Sequence, residues 1–149
     1  MKNRLGWMVA AMSMICILLT ACGVTPAVEA EAPKPVKIEA LDNVNEPTRE
    51  TLTEEAVKRL DLQTAPARDM MIGGTQRTVI PYSAILYDTQ GDTWTYINTE
   101  PLTYVRHHIV IDRIEADQAI LSEGLASGTQ VVTVGAEELF GSELEFEEE

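Results

Sequence analysis

The sequence predicts a mainly β domain, a small barrel or sandwich, with one short helix near its N-terminal side. Three stretches carry this. "VIPYSAILYDTQGDTWTYINTEP" (Val79 to Pro101) reads as two strands around a tight turn, "LTYVRHHIVI" alternates apolar and polar residues, and "SEGLASGTQVVTVG" sets glycine turns before an apolar run.

The chain opens with a leader. Lys2 and Arg4 precede a largely apolar run, Gly6 to Leu19, which is shorter than the roughly 20 residues a membrane span needs. Leu19-Thr20-Ala21-Cys22 is similar to the bacterial lipobox, so residues 1–21 are expected to be a lipoprotein signal peptide and Cys22 the lipidated residue. A diacylglyceryl thioether with an amide-linked acyl chain contributes about 0.8 kcal/mol per buried CH₂, enough for stable anchoring. Cys16 leaves with the leader, so no internal disulfide is available. Removing Lys2 and Arg4 from the 11 basic residues leaves nine against 24 acidic ones, a net charge of −15. Such a surface repels nucleic acid and anionic lipid heads.

Residues 22–50, rich in Pro, Ala, Val and Glu and free of aromatics, read as a disordered tether. "TLTEEAVKRLDL" follows as a short helix, with Thr51 and Glu54 at capping-box spacing. "QTAPARD" suits an edge strand, and Gly73-Gly74 a break. In the hairpin, Asp88 to Asp92 suits a type I turn with Gly91 left-handed. That register sets Leu86 against Trp94 and Ala84 against Tyr96 on the core side. Val105, Ile109 and Ile111 share one parity of the next strand and Arg106 and His108 the other. Asp112 to Asp117 reads as a polar connection, Gln118 to Leu121 as a strand, and "VVTVG" as the last strand. "AEELF" adds a helical turn before an acidic tail, residues 142–149, so the domain is expected over 51–141.

No catalytic, cofactor or metal residues are expected. His107 and His108 are neighbours in a strand and point to opposite faces, a poor start for a shared ion. "DRIEAD" lacks the order of a calcium loop. There is no G-x-S-x-G elbow and no second thiol, and the Ser83, His107 and Asp112 types do not by themselves make a triad, so the chain does not read as an enzyme.

Pro81, Ser83 and Ala84, then Gly91, an Arg-containing strand, Gly124-Leu125-x-x-Gly128, and Val131-Val132-x-x-Gly135 resemble the C-terminal part of the periplasmic adaptor subunits, or membrane fusion proteins (HlyD-like), of RND-type efflux pumps. "TLTEEAVKRLDLQTAPA" resembles a segment near the start of mature adaptors, where glycine often stands at the place of Asp61. Complete adaptors carry lipoyl-like, hairpin and barrel domains between these segments, whereas here about ten residues, Asp69 to Thr78, intervene. The resemblance therefore implies the membrane-proximal β domain alone. It further implies a lipid-anchored, extracytoplasmic accessory or truncated adaptor whose partner is a transporter subunit, at the periplasmic face or outer surface. The alternative is a free-standing surface lipoprotein binding a small ligand or envelope component.

Overall fold

The computed structural model describes residues 34–43 and 45–147. The leader, Cys22 and the tether up to residue 33 lie outside the described residues. Eleven strands form two antiparallel sheets. The larger runs β1 (Val36–Ala40), β2 (Thr48–Leu52), β8 (Thr103–His108), β7 (Thr93–Glu100), β11 (Gln130–Val134), β3 (Gln63–Pro66), with the two-residue β6 (Leu86–Tyr87) also on β7. The smaller runs β4 (Arg68–Ile72), β5 (Thr75–Pro81), β10 (Gln118–Glu123), β9 (Val110–Glu115). Helices α1 (Glu54–Arg59) and α2 (Ala136–Glu147) complete the described chain. Neither is long and apolar enough to cross a membrane.

Two cores make three layers. Ile97, Val105 and Val131 of the larger sheet meet Ile80, Ala119 and Leu121 of the smaller one. On the opposite face of the larger sheet, Tyr96, Tyr104 and Val132 pack with Ala56 of α1 and Ala136 and Leu139 of α2. The larger sheet is therefore covered on both sides, and Thr95, Tyr96 and Ile97 are consecutive buried residues. Strict alternation of burial is lost where both faces are dry.

The mainly β, sandwich-like class holds, with changes at both ends of the domain. The tether assigned to residues 22–50 stops earlier, since β1 and β2 pair along their whole length and β2 then pairs with β8. Apolar periodicity misses β2 because its inward residues are Thr48, Glu50 and Leu52, two of them polar. The acidic tail assigned to 142–149 is, up to Glu147, the continuation of α2. Ala136, Leu139, Phe140 and Glu143 fall on one helical stripe, and the stripe's last member is a carboxylate. The cap of α1 is Thr53, whose hydroxyl accepts from the Ala56 amide, because Thr51 belongs to β2.

The hairpin turn is as expected, with the Asp88 amide bonded to the Asp92 carbonyl, Gly91 at φ +89°, and Leu86 opposite Trp94. Its first arm is not one strand. A 3-10 turn at Tyr82–Ala84 moves the chain from the smaller sheet to the larger, and Ala84 joins the core between the sheets instead of facing Tyr96. Asp112 to Glu115, read as connection, belongs to β9.

A chain beginning at Arg49 lacks β1 and Thr48, so β2, still paired with β8, becomes an uncovered edge and Glu143 loses one of its hydrogen-bond donors. It should melt with reduced cooperativity and at a clearly lower temperature than the parent, as measured by circular dichroism. The glycines separate by surroundings. At Gly128 (φ +90°) a Cβ meets open space, so Gly128→Ala should cost about 1 kcal/mol. At Gly124 (φ +133°) it meets Ile109 Cγ2 at 3.0 Å, and at Gly135 (φ +84°) it drives into the Leu62 side chain. Alanine at either should cost about 2 kcal/mol or more in denaturant melts.

Candidate functional site

The only buried cluster of ionisable side chains among the described residues lies between α2 and the larger sheet. Tyr96 of β7 pairs with Arg106 of β8, and the pairing of Arg49 with Val105 brings Thr48 of β2 alongside Arg106. Three adjacent strands thus present a hydroxyl, a guanidinium and a phenol in one row beneath α2. Glu143 descends onto that row. Thr48 Oγ1 donates to its Oε1, Arg106 Nη2 stands 2.7 Å from the same oxygen, and Tyr96 OH donates to Oε2 at 2.6 Å. Glu143 is 1% exposed.

A second carboxyl lies beside it. Glu50 of β2 is 0% exposed, and its Oε2 is 2.8 Å from Ser142 Oγ, which is also 2.8 Å from the Leu139 carbonyl. A serine hydroxyl has one proton, and the carbonyl can only accept. The arrangement closes when a protonated Glu50 donates to Ser142 and Ser142 donates to Leu139. Burial, with Glu143 nearby, pushes the Glu50 carboxyl up to about 7, against the opposing influence of the Ser142 and Tyr96 hydroxyls and the charge of Arg106. Burial, followed by the charges of Glu50 and Glu143, pushes the Tyr96 phenol far above its usual range, leaving it a donor.

Arg106 is held from both sides. Its guanidinium carbon lies 4.5 Å from the Trp94 ring centroid and 5.4 Å from that of Phe140. Trp94 Nε1 in turn donates to Asp88 Oδ2 at 3.0 Å, and His108 meets Trp94 edge-on at 5.0 Å. Glu50 Oε1, Arg106 Nε and Thr95 Oγ1 have no partner. With one guanidinium for two carboxyls and both carboxyls sealed, the cluster is a clamp between helix and sheet. No substrate can reach it in this arrangement.

The residues weighed from the sequence fall elsewhere. His107 Nδ1 is 2.9 Å from Glu46 Oε1 and its Nε2 2.9 Å from the Gly124 carbonyl, so both ring nitrogens are occupied. His108 packs on Trp94, on the other face. Asp112 pairs with Arg113 at the surface. Sequence reading placed Arg106 on the polar face of its strand and Glu143 in a tail, and so missed their meeting. The available signal was Glu143 seven residues after Ala136, in step with Leu139 and Phe140.

No protein-family model matches the chain, and neither curated proteins nor solved structures gave a match.

Glu50 sets a pH dependence. Its carboxyl is raised in the folded state, so between about 4.5 and 7 the unfolded chain has released a proton that the folded chain keeps. Stability should therefore fall as pH rises through that window, by on the order of 3 kcal/mol, and level off above it. Glu50→Gln should remove this component, matching the parent at pH 4 and exceeding it at pH 8 in denaturant melts. Superimposable pH profiles would show that Glu50 ionises normally.

Proposed function

We propose that the chain is a lipid-anchored, extracytoplasmic docking module, an accessory or truncated adaptor that binds a transporter subunit of an efflux system. The observation that carries this reading is the pairing of β3 with β11. These strands belong to the two adaptor-like segments, Thr51 to Ala67 and Val79 to Leu139, which the whole-length pattern separates by several domains. Here they are neighbours in one sheet, and the chain between them returns through the two-residue turn Gly73-Gly74, both residues at positive φ. A self-contained membrane-proximal domain needs such a closure.

Details of the motif support the same reading. Gly124, Gly128 and Gly135 all take positive φ. Asp61, where the family pattern often has glycine, sits at φ +49° and ends α1 in the left-handed conformation. The sealed Glu50–Glu143–Arg106 cluster is consistent with a binding module rather than a catalytic one. Anchoring rests on the Leu19-Thr20-Ala21-Cys22 motif.

Purification of the full chain from native membranes in mild detergent tests the proposal. A transporter subunit should accompany it in near-stoichiometric amount, and Cys22→Ser should move the protein to the soluble fraction or leave it unprocessed. A protein that purifies alone, with substrate efflux unchanged in a strain lacking it, would overturn the docking reading. Unchanged membrane attachment of Cys22→Ser would overturn the anchor.

A further inference from the structure

Between Val36 and Glu50 the chain is held to the body with little apolar burial. The fully buried residues of this stretch, among those described, are Thr48 and Glu50, both polar, while Val36, Ile38 and Leu41 are only partly covered. β1 pairs with β2 alone, so the two strands form a hairpin on the rim of the larger sheet. Its backbone ties to the body are few. Arg49 and Glu50 pair with Val105 and Tyr104, and the His108 amide donates to the Asn45 carbonyl. Leu52, inside the second core, fixes the point at which the hairpin leaves the body.

Among the described residues, three side-chain contacts fasten the hairpin, and two of them close on a proton. Thr48 brings its own hydrogen to Glu143. In the loop between β1 and β2, Glu46 meets His107 Nδ1, and His107 Nε2 faces the Gly124 carbonyl, each at 2.9 Å. A carbonyl and a carboxylate only accept, so both bonds form together only when the imidazole carries two hydrogens or Glu46 is itself protonated. Either way this junction holds one proton more than a neutral histidine and an ionised glutamate hold apart. In β2, Ser142 gives its hydrogen to the Leu139 carbonyl, so its contact with Glu50 closes on a proton of Glu50. Glu50 is faced by Glu143 of α2, Arg106 and Tyr104 of β8, Tyr96 of β7 and the apolar Ile38 of β1. His107 is faced by Thr95 of β7 and Glu46, with the exposed Arg49 on the same side of β2 and Glu123 before Gly124.

We propose that the β1–β2 hairpin is a proton-latched arm, held on the body in mildly acidic surroundings and released about Leu52 as the pH rises. The closed arm keeps protons that the open arm gives up, so opening grows with pH. For Glu50, raised from 4.5 to about 7 when the arm is closed, the opening constant climbs through that window and levels off above it. The open arm frees the outer edge of β8 and admits water to the polar row beneath α2. It needs neither anchor nor transporter, and the pH dependence of global stability holds with or without it.

Amide hydrogen exchange of the purified full-length protein in detergent, read by NMR and corrected for the intrinsic effect of pH, tests the arm. Three amides report on the joint. The Leu52 amide donates to the Leu102 carbonyl, so by antiparallel alternation Glu50 and Tyr104 bond to each other, and the His108 amide bonds to Asn45. These amides should exchange through an opening that low urea leaves unchanged, whereas those of β7 and β11 should exchange through unfolding that urea promotes. Between pH 5 and pH 8 the opening constant should rise roughly fiftyfold or more. Glu50→Gln, which donates to Ser142 without a titrating proton, should cut that rise to less than about tenfold, and His107→Gln in addition should remove the remainder. Joint amides that follow urea as β7 and β11 do would overturn the proposal, because the arm would then open only with the whole fold. An opening independent of pH, or a rise that both variants leave intact, would overturn it equally.

Discussion

The carboxylate of Glu143 governs the architecture. A charged group taken out of water costs several kcal/mol unless its oxygens are paired, and breaking such a pair by deleting one partner costs about 3–5 kcal/mol. Glu143 finds its partners on three strands at once, Thr48, Arg106 and Tyr96, which fixes the order β2-β8-β7 and the seat of α2 together. With α2 seated, Leu139 and Ala136 seal the second core. The same contact joins residues 48–50 to residues 142–143, so a strand from the start of the domain and the helix at its end support one another.

This arrangement explains which parts of the fold were legible in the sequence. The interior strands were readable because valine, isoleucine and aromatics announce burial, and the Asp88 to Asp92 turn because aspartate and glycine have few other uses at that spacing. β2 and the second half of α2 were not, because there the residues turned inward are Thr48, Glu50, Ser142 and Glu143. Polar groups that satisfy one another across 90 residues of sequence leave no trace in a pattern built on apolar spacing. The break at Tyr82–Ala84 escaped for another reason, since strand propensity on both sides of it is genuine and only the presence of two sheets requires the crossing. As for the cluster itself, each member looked like a surface residue taken singly.

The proton on Glu50 gives the clamp a directional sensitivity. With Glu50 neutral, Arg106 balances Glu143, and the buried charges cancel. With Glu50 ionised, a second negative charge shares the same enclosed space, and Glu50 Oε1 has no donor to meet it. The cluster therefore tightens the fold in mildly acidic surroundings and loosens it towards neutrality, the opposite of what a surface carboxylate in an ion pair would do.

Trp94 gives the clamp an optical signature. The sequence has two tryptophans, Trp94 and Trp7, and Trp7 falls in the segment expected to be a signal peptide, so a chain processed at Cys22 would carry Trp94 alone. Its indole touches the Arg106 guanidinium on its face, the His108 imidazole at its edge and Asp88 at its nitrogen. A guanidinium, an imidazole and a carboxylate within contact distance make its emission sensitive to small shifts in their positions. The intensity and wavelength of native fluorescence thus report on the seating of α2 directly, with no label added, at the one place where both ends of the domain converge.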